Sequence, residues 1–143
     1  MKLTQISIFL ENRKGRLYDV TSLFGKNNVN IRALTIAETP EFGILRVVVD
    51  DPKRAVQILK KNGFVAKLTD IVAVEVNDAP GGLAEILRIL YANNINVEYM
   101  YGFLEKFSDK ALLVFRFDDP DKAIRTLIKN KIKVIGTKDI KSL

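Results

Sequence analysis

The chain carries one pattern twice. The stretch from Gly15 to Ile31 returns as Gly81 to Val97, an offset of 66. Gly, Leu and three Asn are identical at matched positions: 15/81, 17/83, 27/93, 28/94 and 30/96. Val20/Ile86, Leu23/Ile89, Val29/Ile95 and Ile31/Val97 exchange one aliphatic side chain for another. A second block, Asp50-Asp-Pro-Lys-Arg-Ala55, returns as Asp118-Asp-Pro-Asp-Lys-Ala123 at an offset of 68, so the second copy holds two extra residues between its blocks. An internal repeat sets the unit of architecture. Here that unit is about 70 residues, long enough for a small domain.

Each copy reads as β-α-β-β-α-β. Ile6, Ile8 and Leu10 alternate with more polar neighbours over Gln5–Leu10, and Val72, Val74 and Val76 take their places in the second copy; a period of two marks a strand. The polar loops Glu11–Gly15 and Asn77–Gly81 follow. Leu17, Val20, Leu23 and Phe24, with Leu83, Ile86, Ile89 and Leu90, recur at helical spacing. Asn28 and Asn94 stand where that helix must stop, because Asn tolerates the left-handed conformation past a helix end. Strand two runs over Val29–Ile36 and Ile95–Tyr101, strand three over Ile44–Val49 and Leu112–Phe117. Asp51-Pro52 and Asp119-Pro120 open helix two, Asp as N-cap and Pro at the first helical position. Gly63 closes that helix in the first copy, and strand four is predicted at Phe64–Leu68 and Ile132–Ile135.

The expected fold class is α+β: two ferredoxin-like βαββαβ units in tandem, 1–69 and 70–143, with antiparallel sheets and helices on one face. The two meet near Thr69-Asp70 with no Pro/Gly/Ser linker. Strand three is apolar on both faces, Ile44 and Val48 against Leu45, Val47 and Val49. The helix-free face is therefore expected to meet a second sheet, or the sheet edge to continue into a neighbour. A homodimer is expected on that ground.

Composition narrows the function. With 0 His and 0 Cys, Cys–His and Ser–His nucleophilic schemes, thiolate metal sites and disulfides are excluded. No Walker loop and no Gly-x-Gly-x-x-Gly is present. No enzyme activity and no cofactor are expected. No apolar run reaches the roughly 18 residues of a membrane span, and Met1-Lys-Leu-Thr-Gln-Ile6 enters a strand pattern at once, so no membrane partner and a cytoplasmic location are expected. The net charge of +6 is read as solvated lysines, since basic and acidic residues alternate.

Loop-Gly-x-Leu, a helix, then Asn-(Ile/Val)-Asn-(Ile/Val) at strand two resembles the ACT domain, a small-molecule-binding regulatory module, once in each half. Asp78-Ala-Pro-Gly-Gly-Leu83 is similar to the family's Asp-x-Pro-Gly-x-Leu opening, whereas the first copy has Lys14 in place of Pro. The resemblance implies a free amino acid or similar small zwitterion as ligand, paired domains, and a regulated enzyme or other protein as partner. It also implies a ligand seated between the first loop of one domain and strand two of another.

Physical chemistry gives these positions a role. The helix tip after Gly15 or Gly81 offers unpaired N–H groups and a positive dipole end to a carboxylate. Asn12 and Asn77 offer side-chain carbonyls to an ammonium, and Asp78 a charge. Asn30 and Asn96 open strand two, read as lying near the same end of the sheet. Ile31, Val97 and Met100 are read as the apolar wall. The candidate ligand-binding set is Asn12, Arg13, Lys14, Gly15, Arg16, Leu17, Asn30 and Ile31 in the first copy. In the second it is Asn77, Asp78, Ala79, Pro80, Gly81, Gly82, Leu83, Asn96, Val97 and Met100. Local roles compete: the glycines as turn formers, Asn30 and Asn96 as strand-start partners, Asp78 as a helix-dipole partner. The first loop is basic and the second is not, so two non-equivalent sites are expected. Two other functions stay open. One is single-strand nucleic-acid binding, for which only Phe115 and Phe117 are available to stack on bases, Phe107 being read as a loop residue. The other is a purely structural, oligomerising role.

Overall fold

A computed structural model describes residues 1–105 and 109–141. The elements are β1 (Leu3–Glu11), α1 (Arg16–Lys26), β2 (Ile31–Glu38), β3 (Phe42–Val49), α2 (Pro52–Lys61), β4 (Val65–Asn77), α3 (Gly82–Ala92), β5 (Val97–Gly102), β6 (Lys110–Phe117), α4 (Pro120–Lys129), β7 (Val134–Ile135) and α5 (Thr137–Lys141). The chain divides into two compact units: Thr4–Thr69, and Met1–Leu3 together with the chain from Asp70 onward.

The first unit has the strand order β2-β3-β1-β4. β3 pairs antiparallel with both neighbours, Ile8↔Leu45 on one side and Ile36↔Leu45 on the other. One sheet face carries Ile6, Ile8, Leu10, Leu45, Val47 and Val49. Val20 and Phe24 of α1, with Ala55, Val56 and Leu59 of α2, pack onto it. Fully burying side chains of this size contributes about 1.5–3 kcal/mol each, so the helical stripe read from spacing is what holds the helices down.

The second unit repeats this with β5-β6-β4-β7. Ile86 and Leu90 of α3, and Ala123 and Leu127 of α4, cover Val72, Val74, Val76, Phe115 and Phe117. Both units are ferredoxin-like, with their two long helices on one sheet face.

The caps follow the local chemistry. The Asp51 and Asp119 side chains accept from the N–H groups of Arg54 and Lys122, at 3.3 and 3.1 Å. Asn28 and Asn94 have φ of 57° and 56°, the left-handed conformation expected past the helix end.

Two boundaries differ from expectation. The predicted fourth strand of the first copy and first strand of the second form one continuous strand of 13 residues, β4. Neither Gly nor Pro interrupts it at Thr69-Asp70, and the Asp70 carbonyl accepts from Arg116 Nη1 at 2.7 Å. Strand four of the second copy shrinks to two residues. The Ile132 N–H is taken by the Leu127 carbonyl at 2.9 Å, which closes α4 and keeps Ile132 out of the ladder. α5 was not foreseen; its short turn buries Ile140.

Candidate functional site

The loop after the first strand of each unit delivers the chain into a helix through a left-handed glycine. Gly15 has φ 90° and Gly81 φ 84°, and neither helix start carries a side-chain cap. In the second unit the N–H groups of Gly82 and Glu85 are taken by the carbonyls of Ala79 and Gly81, both at 3.0 Å. That leaves Leu83 and Ala84 as the open donors of the first turn, the groups a helix cannot satisfy internally. In the first unit Asp19 N–H bonds the Gly15 carbonyl at 2.8 Å, and Leu17 and Tyr18 hold the equivalent open places.

The two tips then diverge. Beside the second lies a cleft of about 380 Å³, within the range of small-molecule sites. The loop and helix start supply Asn77, Ala79, Pro80, Gly81 and Gly82. Glu75 of β4, Glu85 and Ile86 of α3, Lys110 of β6, and Lys131, Ile132 and Lys133 after α4 complete it. Gly82 is required here: a Cβ on it would sit 2.1 Å from the Asn77 carbonyl oxygen.

Arg16 occupies the matched position in the first unit. Its guanidinium carbon lies 4.5 Å from the centroid of the Phe64 ring, and its Nη1 is 3.6 Å from Asp19. The side chain is only 19% exposed, and its buried Nε has no acceptor. The first unit's hollow, also about 380 Å³, extends along α1 over Ser22, Leu23 and Lys26. None of residues 12–15 lines it.

Of the other first-copy candidates, Asn12 is tied to the β2–β3 turn. Its N–H bonds the Glu41 carbonyl and its Nδ2 the Pro40 carbonyl, both at 3.2 Å. Arg13 pairs with Glu11 at 3.2 Å on the surface, and Lys14 is exposed. Asp78 is exposed and does not line the cleft.

The expectation that strand two opens at the same end of the sheet is wrong within a unit. Glu11 pairs with Phe42 and Gly43 with Glu38, whereas Ile31 pairs with Val49, beyond the Ile6↔Val47 pair. Asn30 and Ile31 therefore stand at the opposite end from Gly15, roughly 20 Å away at about 3.3 Å per residue. The second unit repeats this, with Asn77↔Lys110 at one end and Val97↔Phe117 at the other. The reason is topological: α1 and α3 run back along the sheet before strand two begins. Asn96 instead exchanges bonds with Asp118, its N–H to Oδ1 and its carbonyl from the Asp118 N–H, each 3.2 Å. Ile31, Val97 and Met100 pack against the cores of their units rather than lining the cleft.

The charged lining was missed by sequence reasoning. Lys110, Lys131 and Lys133 form no ion pair among the described residues. Glu85 is already engaged by Arg88, at 2.6 and 3.1 Å. That hydrogen bond lowers the pKa of the Glu85 carboxyl from its ordinary value, against desolvation, which raises it, and with the Arg88 charge adding to the lowering. Lys131 has φ 62°, a conformation that costs a residue with a Cβ roughly 1–2 kcal/mol. The matched residue of the first copy is Gly63, φ 83°. Aligning the copies one residue beyond the helix would have exposed this exchange.

Phe115 and Phe117, the aromatics of the nucleic-acid reading, are fully buried. Their rings stack on each other at 5.3 Å, so they offer no face to a base. Phe107 lies outside the described residues. Among the described residues no group of three or more acidic, His or Cys side chains is placed to hold a metal. No described helix is long and apolar enough to cross a membrane.

The family model for the ACT domain pair matches residues 1–143. The crystal structure of protein BT0572 from Bacteroides thetaiotaomicron superposes with a TM-score of 0.93 at 40% identity, covering 100% of this chain and 98% of that one. The regulatory subunit of aspartate kinase from Thermus thermophilus, ligand-free, shares the fold with a TM-score of 0.63 at 15% identity, over 88% of this chain and 91% of that one. The acetolactate synthase small subunit of Buchnera aphidicola is 34% identical over 97 residues, 65% of this chain. The chain spans 59% of the length of that relative.

Proposed function

Because the chain belongs to the ACT domain pair family, we propose that it is a regulatory protein that binds a free amino acid or similar zwitterion and has no catalytic role of its own. Its two modules, 1–69 and 70–143, act as a pair, and a homodimer is the working assembly. Its output is the activity of a partner enzyme. The likeness to an acetolactate synthase small subunit supports a partner in amino-acid biosynthesis.

The observation that carries this reading is the cleft of about 380 Å³ beside Gly81 and Gly82, into which the α3 start opens. A carboxylate there faces the positive end of the α3 dipole, whose first turn leaves the N–H groups of Leu83 and Ala84 without an intrahelical acceptor. Asn77 and Glu75, both lining the cleft, are the acceptors for an ammonium. Binding regulates only as far as the ligand prefers one conformation or assembly over another.

The test is a thermal-shift and calorimetric screen of the whole chain against the proteinogenic amino acids. A ligand at 100 times its dissociation constant adds about 2.7 kcal/mol. At least one amino acid is expected to raise the melting temperature; a flat response to all of them rejects the reading.

A further inference from the structure

Resting on that reading, we propose that the cleft of the second unit is built for an acidic amino acid, a zwitterion carrying a second carboxylate. The internal repeat supplies its own control. Lys110, Lys131 and Lys133 all line the cleft. Their matched residues in the first copy are Phe42, Gly63 and Val65, none of them charged. The equivalence is structural as well as sequential. Asn62 and Asn130 both cap their helices, with Nδ2 donating to a carbonyl four residues back at 2.8 Å. Gly63 and Lys131 both follow with positive φ. Phe64 and Ile132 both return an N–H to the helix, at 3.0 and 2.9 Å.

The same fold has thus placed three lysines around one cleft and none at the equivalent places of the other. One of them, Lys131, stands in a conformation that glycine serves at lower cost, as it does in the first copy. With Glu85 held by Arg88, the lining carries three lysines against one remaining carboxylate, Glu75. A neutral amino acid leaves that excess uncompensated. A second carboxylate answers it, while Glu75 answers the ammonium. At the position matched to Gly82 the first copy carries Arg16, already laid over Phe64, and the second carries glycine, with the Asn77 carbonyl 2.1 Å from where a Cβ would stand.

The experiment is calorimetry on the whole chain with L-aspartate, L-glutamate, L-valine, L-threonine and succinate, repeated on Lys131→Gly and Lys133→Val. Both substitutions install the first copy's residue, and φ 62° at position 131 suits glycine, so the fold is kept; circular dichroism checks this. L-aspartate or L-glutamate is expected to bind more tightly than the others, and each substitution to weaken that binding about tenfold, or 1.4 kcal/mol. Tighter binding of L-valine or L-threonine, unaffected by the substitutions, overturns this proposal and leaves the amino-acid-binding function standing. Succinate binding as tightly as L-aspartate overturns the assignment to an amino acid. No binding of any amino acid removes both.

Discussion

The Arg16 guanidinium carbon lies 4.5 Å from the centroid of the Phe64 ring, whereas the matched position of the second unit is Gly82, where a Cβ would sit 2.1 Å from the Asn77 carbonyl oxygen. One side chain therefore separates two otherwise matched helix starts. A cation over an aromatic face contributes about 0.5–2 kcal/mol. Replacing Arg16 with Ala is expected to lower stability by about 1 kcal/mol in urea denaturation, without touching the second cleft. An unchanged midpoint would show that the contact carries no net energy.

The glycines of the second loop differ in why they are needed, and that gives a ranking. At Gly81 a Cβ has nothing within 4 Å, so Gly81→Ala costs only the left-handed conformation at φ 84°, roughly 1–2 kcal/mol. At Gly82 a Cβ meets the Asn77 carbonyl at 2.1 Å. Gly82→Ala must push the loop away from the helix, so it is expected to be the more destabilising of the two. Chemical denaturation of both variants decides, and the reverse order refutes the packing argument.

Asp51 and Asp119 do the same work in different units, each accepting from the N–H three residues on. Each change to Ala is expected to cost about 1 kcal/mol. The caps share no partner, so the double variant should show the sum within about 0.5 kcal/mol. Strong non-additivity in equilibrium unfolding would reveal coupling between them.

Lys131→Gly removes a Cβ from φ 62°. It is expected to raise the unfolding midpoint, by up to about 1 kcal/mol after the entropy lost to glycine's freer unfolded chain. Stability would then rise as ligand affinity falls. Asn94→Gly, at φ 56°, should gain less, since Asn already tolerates this region.

Glu85 gives a pH signature. Its hydrogen bond from Arg88 lowers its folded pKa, so the folded state binds this proton less readily than the unfolded chain. The contribution is present above the unfolded pKa and is lost as pH falls through the lowered folded value. Relative to Glu85→Gln, the native chain should lose stability on acidification below the ordinary glutamate range and hold it at neutral pH. Parallel stability–pH curves for the two would rule the pair out as a contributor.

The element order of both units, the Asp-Pro helix starts and the left-handed Asn28 and Asn94 were legible in the residues because they are local. Each depends on neighbours within one helical turn. The period-two strands and the helical stripes were legible for the same reason, and they placed Ile6, Val20, Val72 and Ile86 in their cores. β4 was misread as two strands because nothing local marks continuity: strand pairing, not composition, carries the chain through Thr69 and Asp70. Asn30 and Asn96 were brought to the wrong end of the sheet because the repeat shows which residues match, not which way a helix carries the chain between strands.

By itself the sequence determined that there are two modules, the order of their elements apart from α5, and the starts and stops of the four long helices, since propensity, capping and periodicity act over a few residues. Only the tertiary structure decided that the modules differ in their clefts. That difference lies in Arg16 meeting Phe64, and in Lys110, Lys131 and Lys133 lining one cleft with Gly82, placements that join residues far apart in the chain. Such contacts come into being when helices and strands pack, because packing is what brings those side chains within reach of one another.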